Sequence, residues 1–342
     1  MIIVEKKSQF FWLLGVMIMI FGIIIIGGIT RLTGSGLSMV DWRPLMGIIP
    51  PLSHESWVKT FNLYKSFPQY QLQNATMTLN EFKVIFFWEY LHRIIARVIG
   101  LALIIPYLFF LIRGTLSSWL NKRALSMIVL VILQGVMGWY MVKSGLIDNP
   151  EVSHFRLASH LMLAFLLLQY ILWTVLELSI KKQSQKHWLA RWSAWWSIGI
   201  IIQIIYGAFT AGKKAGWGYN TYPLMDGSWI PESAFMYPSV VSNILNNPVM
   251  IQFLHRHMGV ILGLGFFVMA IIIFKDKQTS KGLKIVATIV LSLILIQIIL
   301  GIMTLVLKVP LVLAVLHQLT GAILLSSITL FNYFLYYKNK HI

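Results

Sequence analysis

The chain reads as an all-α integral membrane protein: eight transmembrane helices forming two tandem pseudo-symmetric four-helix bundles, with both termini cytoplasmic. Composition, the number of long apolar runs and an internal repeat predict this. Of 342 residues, 58% are hydrophobic and 11% are charged, and the mean hydropathy is +0.75. A soluble domain usually carries about 25% charged residues, so the solvent of this chain is lipid. Crossing about 30 Å of hydrocarbon takes roughly 20 apolar residues of helix. Eight runs qualify, near residues 11–29, 84–112, 124–142, 156–179, 192–211, 249–274, 284–306 and 311–336.

The first run could be mistaken for a secretory signal, but its apolar core is too long and no A-x-A-like site follows, so it is expected to stay as a span. The N-terminus also lacks an Arg- and Ser-rich transit peptide, which points to a multi-pass protein of the bacterial plasma (inner) membrane. Short loops rich in Lys and Arg stay cytoplasmic. Lys6 and Lys7 precede span one; Arg113, Lys122 and Arg123 follow span two; Lys181, Lys182, Lys186 and Arg191 follow span four; Lys275, Lys277, Lys281 and Lys284 follow span six; Lys338 and Lys340 close the chain. The long loops, residues 30–83 and 212–248, then lie outside. The net charge of +17 reflects this asymmetry and attraction to membrane lipid, and calls for no nucleic acid. The absence of cysteine excludes disulfides, thiolate metal sites and cysteine-bound iron-sulfur clusters.

The repeat justifies the two halves. GGITRLTGSGLSMVDWRPLMGIIP after span one can be laid on GAFTAGKKAGWGYNTYPLMDGSWIP after span five, matching Gly28 to Gly207 and Pro44-Leu45-Met46 to Pro223-Leu224-Met225. EYLHRIIARVIGL in span two lies over QFLHRHMGVILGL in span six, Gln134 and Gly138 over Gln297 and Gly301, and His160 over His317. Four spans per copy give the copies one topology, related by an axis along the membrane normal. The expected domains are residues 1–180, a cytoplasmic linker at 181–191, and residues 192–342.

His92, His160, His255 and His317 occupy one even-numbered span each, toward the outer end, and the repeat superposes them in pairs. One histidine in a span is more often a packing residue; four at one level, duplicated, favour ligation. Neutral imidazole is a good axial ligand for heme iron, and a bundle interior with two facing histidines can hold one heme per half. Zinc is disfavoured, because two imidazoles without thiolates or further carboxylates make a poor tetrahedral set. His54, His187 and His341 fall in loops or the tail and are expected to be solvated. His257 points to another face of its helix than His255, and His154 lies at a loop edge, so both read as structural or propionate-facing. Arg93, Arg97 and Arg256 are candidate propionate contacts, with salt bridges to loop acids as the bland alternative.

The halves differ in charge. An ionisable group in a span is unfavourable by roughly 2.5–3.5 kcal/mol and tends to mark a functional site. Glu89 lies three residues before His92, nearly on the same helical face, and the matching residue before His255 is Gln252. A carboxylate beside a bound ring can accept a proton or counter a developing cation. The first half therefore reads as the chemical site, and the second as the holder of a resident cofactor.

These segments resemble the heme A synthases of aerobic bacteria and mitochondria. The likeness covers nearly the whole chain: GGITRLTGSGLSMVDWRPLMG (27–47), EYLHR (89–93), VSHFRLASHL (152–161), AGWGYNTYPLMDG (215–227), FLHRHMG (253–259) and LHQLTGA (316–322). The resemblance implies oxidation of a ring methyl of heme O to a formyl group through hydroxylated intermediates, with water as oxygen source, giving heme A for cytochrome oxidase. It further implies heme b as cofactor on the iron ligands His255 and His317, substrate heme O between His92 and His160, and Glu89 as the catalytic carboxylate. Heme O synthase is a candidate partner, and the electron acceptor is left open. Some members carry a cysteine pair in the first outer loop; this chain is like the cysteine-free mitochondrial and alphaproteobacterial branch, which puts thiol-based electron handling aside.

Two alternatives come from other classes. A diheme b-type cytochrome would place two histidines on one helix, 13–14 residues apart by family resemblance, and no span here does so. A heme exporter would be expected to show paired Gly or Pro breaks at mid-membrane, and none is seen. The loops GSGLSMVDWRP and AGWGYNTYPLMDG, with Asp41 and Asp226, are either equivalent lids over the two sites or plain loop folding.

Overall fold

The computed structural model describes residues 7–40, 49–145, 150–180 and 187–337. Among them are eleven α-helices, three 3-10 turns and no strands. Eight helices are long and apolar enough to cross a membrane: α1 (Lys7–Leu32), α4 (Leu79–Ile112), α5 (Ser118–Gly145), α6 (His154–Ser179), α7 (Ala190–Gly212), α9 (Pro248–Lys275), α10 (Lys281–Val306) and α11 (Leu311–Tyr336). Each predicted run falls inside one of them. The short helices α2 (His54–Lys65), α3 (Pro68–Gln73) and α8 (Val240–Asn246) lie in the two long loops. Asp41, Pro44-Leu45-Met46, the linker lysines Lys181, Lys182 and Lys186, and His341 lie outside the described residues.

The chain divides into two compact units. One is residues 18–164; the other comprises the described residues up to Met17 and from Phe165 onward. In the second unit α7 packs on α9, α9 on α10, α10 on α11, and α11 back on α7. Its core includes Phe266, Met269, Ile273, Val290, Ile294, Ile328 and Phe331. Neutral polar side chains tie these helices together, as expected where hydrophobicity cannot drive helix association. Asn332 Nδ2 donates to Ser197 Oγ at 2.9 Å, and Trp196 Nε1 donates to the Leu262 carbonyl at 2.9 Å. Many large apolar residues stay exposed, Val129, Ile132, Val136, Ile285, Ile296 and Ile299 among them, an arrangement suited to lipid rather than water.

In the first unit α4 packs on α5, and α4 begins at Leu79, five residues beyond the predicted 84. A capping box causes this extension: Thr78 accepts the Glu81 N–H, and the Glu81 carboxylate accepts the Thr78 N–H at 2.7 Å. Hydropathy cannot see such a start, because the added turn is polar. The turn carries Phe82 into an aromatic cluster with Trp57, Phe61, Tyr64, Tyr70 and Phe86, packed with Met39 and Ile85. Tyr64, fully buried, donates to Gln69 Oε1 at 3.0 Å and accepts from Asn74 at 2.7 Å.

Candidate functional site

The site is built from the four histidines, on α4 (His92), α6 (His160), α9 (His255) and α11 (His317). The span before each presents a glycine to the ring. A Cβ on Gly27, Gly138, Gly207 or Gly301 would come within 3.1, 3.1, 2.9 and 2.9 Å of the Cε1 of His92, His160, His255 and His317, respectively. Any other side chain at these positions would push the imidazole away. This geometry corrects the repeat register by one residue: the partner of Gly207 is Gly27, not Gly28. The adjoining threonines agree, since Thr30 bonds the Ile26 carbonyl and Thr210 the Tyr206 carbonyl, each on its own helix.

Glutamines join the glycines. Gln134 Nε2 donates to the backbone carbonyl of His160 at 3.0 Å, Gln203 to that of His255 at 2.8 Å, and Gln297 to that of His317 at 3.0 Å. In the sequence Gln134 and Gln297 stand out only as repeat markers, and Gln203 does not stand out. The signal was present as Q-x-x-x-G in QGVMG, QIIYG and QIILG.

In the second unit the rings of His255 and His317 have centroids 6.3 Å apart and planes at 88°. Two imidazoles bonding one metal from opposite sides, each nitrogen about 2 Å from it, place their ring centres about 6 Å apart, so this spacing fits a shared iron. His255 Nδ1 lies 3.2 Å from the Gln203 carbonyl, a bond that makes Nδ1 the protonated nitrogen and leaves Nε2 for a metal. In the first unit His92 and His160 each lie against a glycine of the preceding span in the same way. The Nδ1 atoms of His92 and His160 are buried without a hydrogen-bond partner, and Gln134 and Gln297 bring their Nε2 to 3.4 and 3.5 Å from the Nε2 of His160 and His317. No cluster of three or more His, Asp or Glu able to hold a metal occurs among the described residues. Two facing imidazoles are a donor set that suits an iron carrying its remaining ligands in a macrocycle.

Glu89 is 3% exposed. Its Oε1 lies 2.5 Å from Arg93 Nη2, and its Oε2 accepts from Ser38 Oγ at 2.7 Å and from the Met39 N–H at 2.8 Å. All three partners donate, which a carboxylate accepts in its ionised form. Ser38 follows a 3-10 turn at Ser35–Leu37 that Gln69 also grips, through the Gly34 carbonyl at 2.7 Å. The second unit repeats this turn at Ala215–Trp217. There Gln252, also 3% exposed, donates to the Gly218 carbonyl at 2.7 Å. The same buried position thus accepts in one unit and donates in the other. Ser38, which does not stand out in the sequence, occupies the place of Gly218 and supplies one of the donors that Glu89 accepts.

The arginines separate. Arg93 is engaged by Glu89 and by the Met39 carbonyl. Arg97 keeps a buried Nη1 without a partner, and Arg256 keeps Nε and Nη1, while its Nη2 donates to the Thr221 carbonyl at 2.6 Å. His257 bonds the Phe253 carbonyl of its own helix at 2.8 Å, and His154 is buried at the start of α6, its ring against Phe155. His187 differs from expectation: it is 6% exposed, with Nδ1 accepting the Leu189 N–H and Nε2 3.6 Å from Asp276. Asp226 bonds Thr221 within its own loop, the pattern of loop folding.

The family model COX15-CtaA, described as cytochrome oxidase assembly protein, matches residues 10–329. A heme A synthase of Nitrosospira multiformis is 42% identical over 332 residues, which is 95% of this chain and 92% of that protein. One from Flavobacterium johnsoniae is 40% identical over 343 residues, 95% of this chain and 97% of that one. One from Bradyrhizobium sp. BTAi1 is 42% identical over 321 residues, 92% and 88% of the two chains.

Proposed function

The chain belongs to the COX15-CtaA family of cytochrome oxidase assembly proteins, and from that membership we propose that it is a heme A synthase, a multi-pass oxidoreductase of the bacterial plasma membrane that converts heme O to heme A. The observation that carries the reading is the pair of two-histidine sites that repeat in geometry and differ in charge, Glu89 standing where the other has Gln252. The substrate, heme O, docks between His92 and His160, and the resident heme b sits between His255 and His317. In this reading, drawn from the sequence repeat, residues 1–180 are the substrate half, 181–191 a linker on the cytoplasmic side with both termini, and 192–342 the cofactor half; the compact units part elsewhere, within α1 and α6.

Turning a methyl into a formyl group with oxygen from water consumes one water and releases four protons and four electrons, and an external electron acceptor must take up those four electrons. Heme b, when bound, supplies a one-electron redox centre. The protein's own residues do the rest. His160, with His92 opposite it, sets where the substrate plane docks. Arg97 and Arg256, with unpartnered buried donors, suit propionate carboxylates. Glu89, surrounded by three donors, serves as a fixed negative charge that stabilises positive charge building on the substrate's methyl carbon, and its contacts to Ser38 and Met39 hold the outer turn in place.

The test is production in a host that makes heme O but no heme A, followed by analysis of extracted hemes. Heme A or its hydroxylated precursor is the expected result. Unmodified heme O alone, with the protein present in the membrane, would sink the reading in favour of an electron carrier.

A further inference from the structure

Three of the four histidine-bearing spans meet the same two-residue device on the span before them. Gln134 and Gly138 on α5 face His160, Gln203 and Gly207 on α7 face His255, and Gln297 and Gly301 on α10 face His317. A four-residue spacing puts amide and glycine one turn apart on one face of the helix. The glycine lets the ring approach, and the amide takes hold of the histidine's backbone carbonyl. To reach that carbonyl from the side, the amide must pass over the residue one turn further on. That residue is Ala164, Gly259 or Gly321, and a Cβ on Gly259 or Gly321 would meet the glutamine nitrogen at 2.9 or 3.4 Å.

His92 is the exception. Its glycine, Gly27, is in place, and Ala96 stands one turn after it, but the residue one turn before Gly27 is Ile23. An alkyl side chain cannot donate. The backbone of His92 therefore lacks the side-on amide that grips the other three.

We propose that Gln134, Gln203 and Gln297 are positioning residues that make their histidines fixed axial ligands, and that Ile23 leaves His92 as the adaptable ligand, which yields as substrate heme enters and product heme leaves. This rests on the heme A synthase reading. A resident cofactor benefits from two fixed ligands. A ring that must be released after each turnover needs at least one ligand that can give way, and the first unit pairs fixed His160 with adaptable His92. A glutamine at position 23 would convert the exchanging site into a second retaining site.

The experiment compares Ile23→Gln with Ile23→Leu in full-length protein purified from a host making heme O, measuring substrate-derived heme (heme O, its hydroxylated form and heme A) relative to heme b. Ile23→Gln is expected to raise this ratio by about fivefold, the shift that one net hydrogen bond gives, and to lower the heme A delivered to the membrane. Ile23→Leu should behave as wild type. Unchanged heme b per chain reports that the second unit is folded, and under that condition a wild-type ratio for Ile23→Gln overturns the proposal. Gln297→Leu supplies a second reading. It should shift the low-spin electron paramagnetic resonance g-values of heme b, because the His317 ring is free to turn, and identical g-values overturn the positioning role even if Ile23→Gln fails to fold. A wild-type protein that forms no heme A would sink the synthase reading instead, while the Gln297→Leu spectrum, which reads heme b alone, would still decide the positioning role.

Discussion

At the scale of single residues, the account turns on Glu89. Its carboxylate meets three donors, from Arg93, Ser38 and Met39, and Gln252 in the second unit meets an acceptor. Glu89→Gln keeps the shape nearly intact but removes the charge and turns an amide NH2 toward groups that themselves donate. Heme A formation should fall at least about 100-fold, the typical effect of losing a positioned acid-base or charged group, while heme b content stays constant. Extracted heme A measured against protein amount checks this, and output within a factor of about two of wild type, a change of under half a kcal/mol, would leave Glu89 as a purely structural partner of Arg93. The histidines and Glu89 were legible in the sequence because ionisable groups stand out in apolar spans. Gln203, Ser38 and the exact partner glycine were not, since glycines are common in spans, an uncharged amide or hydroxyl carries no charge to mark it, and their roles appear only when two segments come together.

At the scale of elements, the spans were legible and their ends were not. Hydropathy placed every membrane helix, but α4 starts at Leu79 because Thr78 and Glu81 cap it, and α2 starts at His54 on a similar box formed by Ser53 and Ser56. Caps are polar and local, so an apolar window skips them. His187 was read as solvated from its place in a basic linker; its burial depends on Leu335, whose carbonyl accepts the His187 N–H at 2.8 Å, and on Asp276, both distant in sequence. The turn after α9 gives a pH prediction. The Asp276 carboxylate accepts from the Gln278 N–H at 2.8 Å and from Thr279 Oγ at 3.0 Å, which hold it below the ordinary carboxylate range, with a smaller contribution from His187. A carboxyl depressed on folding stabilises the fold above its unfolded pKa of about 4 and loses that contribution as pH falls through the folded value. Hydrogen exchange at the Gln278 amide should therefore be protected at neutral pH, lose protection as the pH drops below about 4, and be unprotected at neutral pH in Asp276→Ala. Equal protection in wild type and variant across this range would contradict the assignment.

At the scale of the whole molecule, duplication made the architecture readable: two sites with the same helix order, the same 3-10 turn before the charged or amide position, and a histidine pair each. A repeat in sequence does not by itself fix which residues cluster, and the compact units divide within α1 and α6 rather than at a loop. The functional asymmetry was readable because the copies diverge at one buried position, Glu89 against Gln252. The proposed division of labour gives His92 and His160 a passing ring and His255 and His317 a resident one. The most direct measurement is heme content and optical spectrum of protein purified from a host that makes heme b but neither heme O nor heme A. The account predicts a low-spin, bis-imidazole heme b that persists in His92→Ala and His160→Ala and disappears in His255→Ala and His317→Ala. A heme b signal that survives loss of His317 and vanishes with loss of His160 would contradict it.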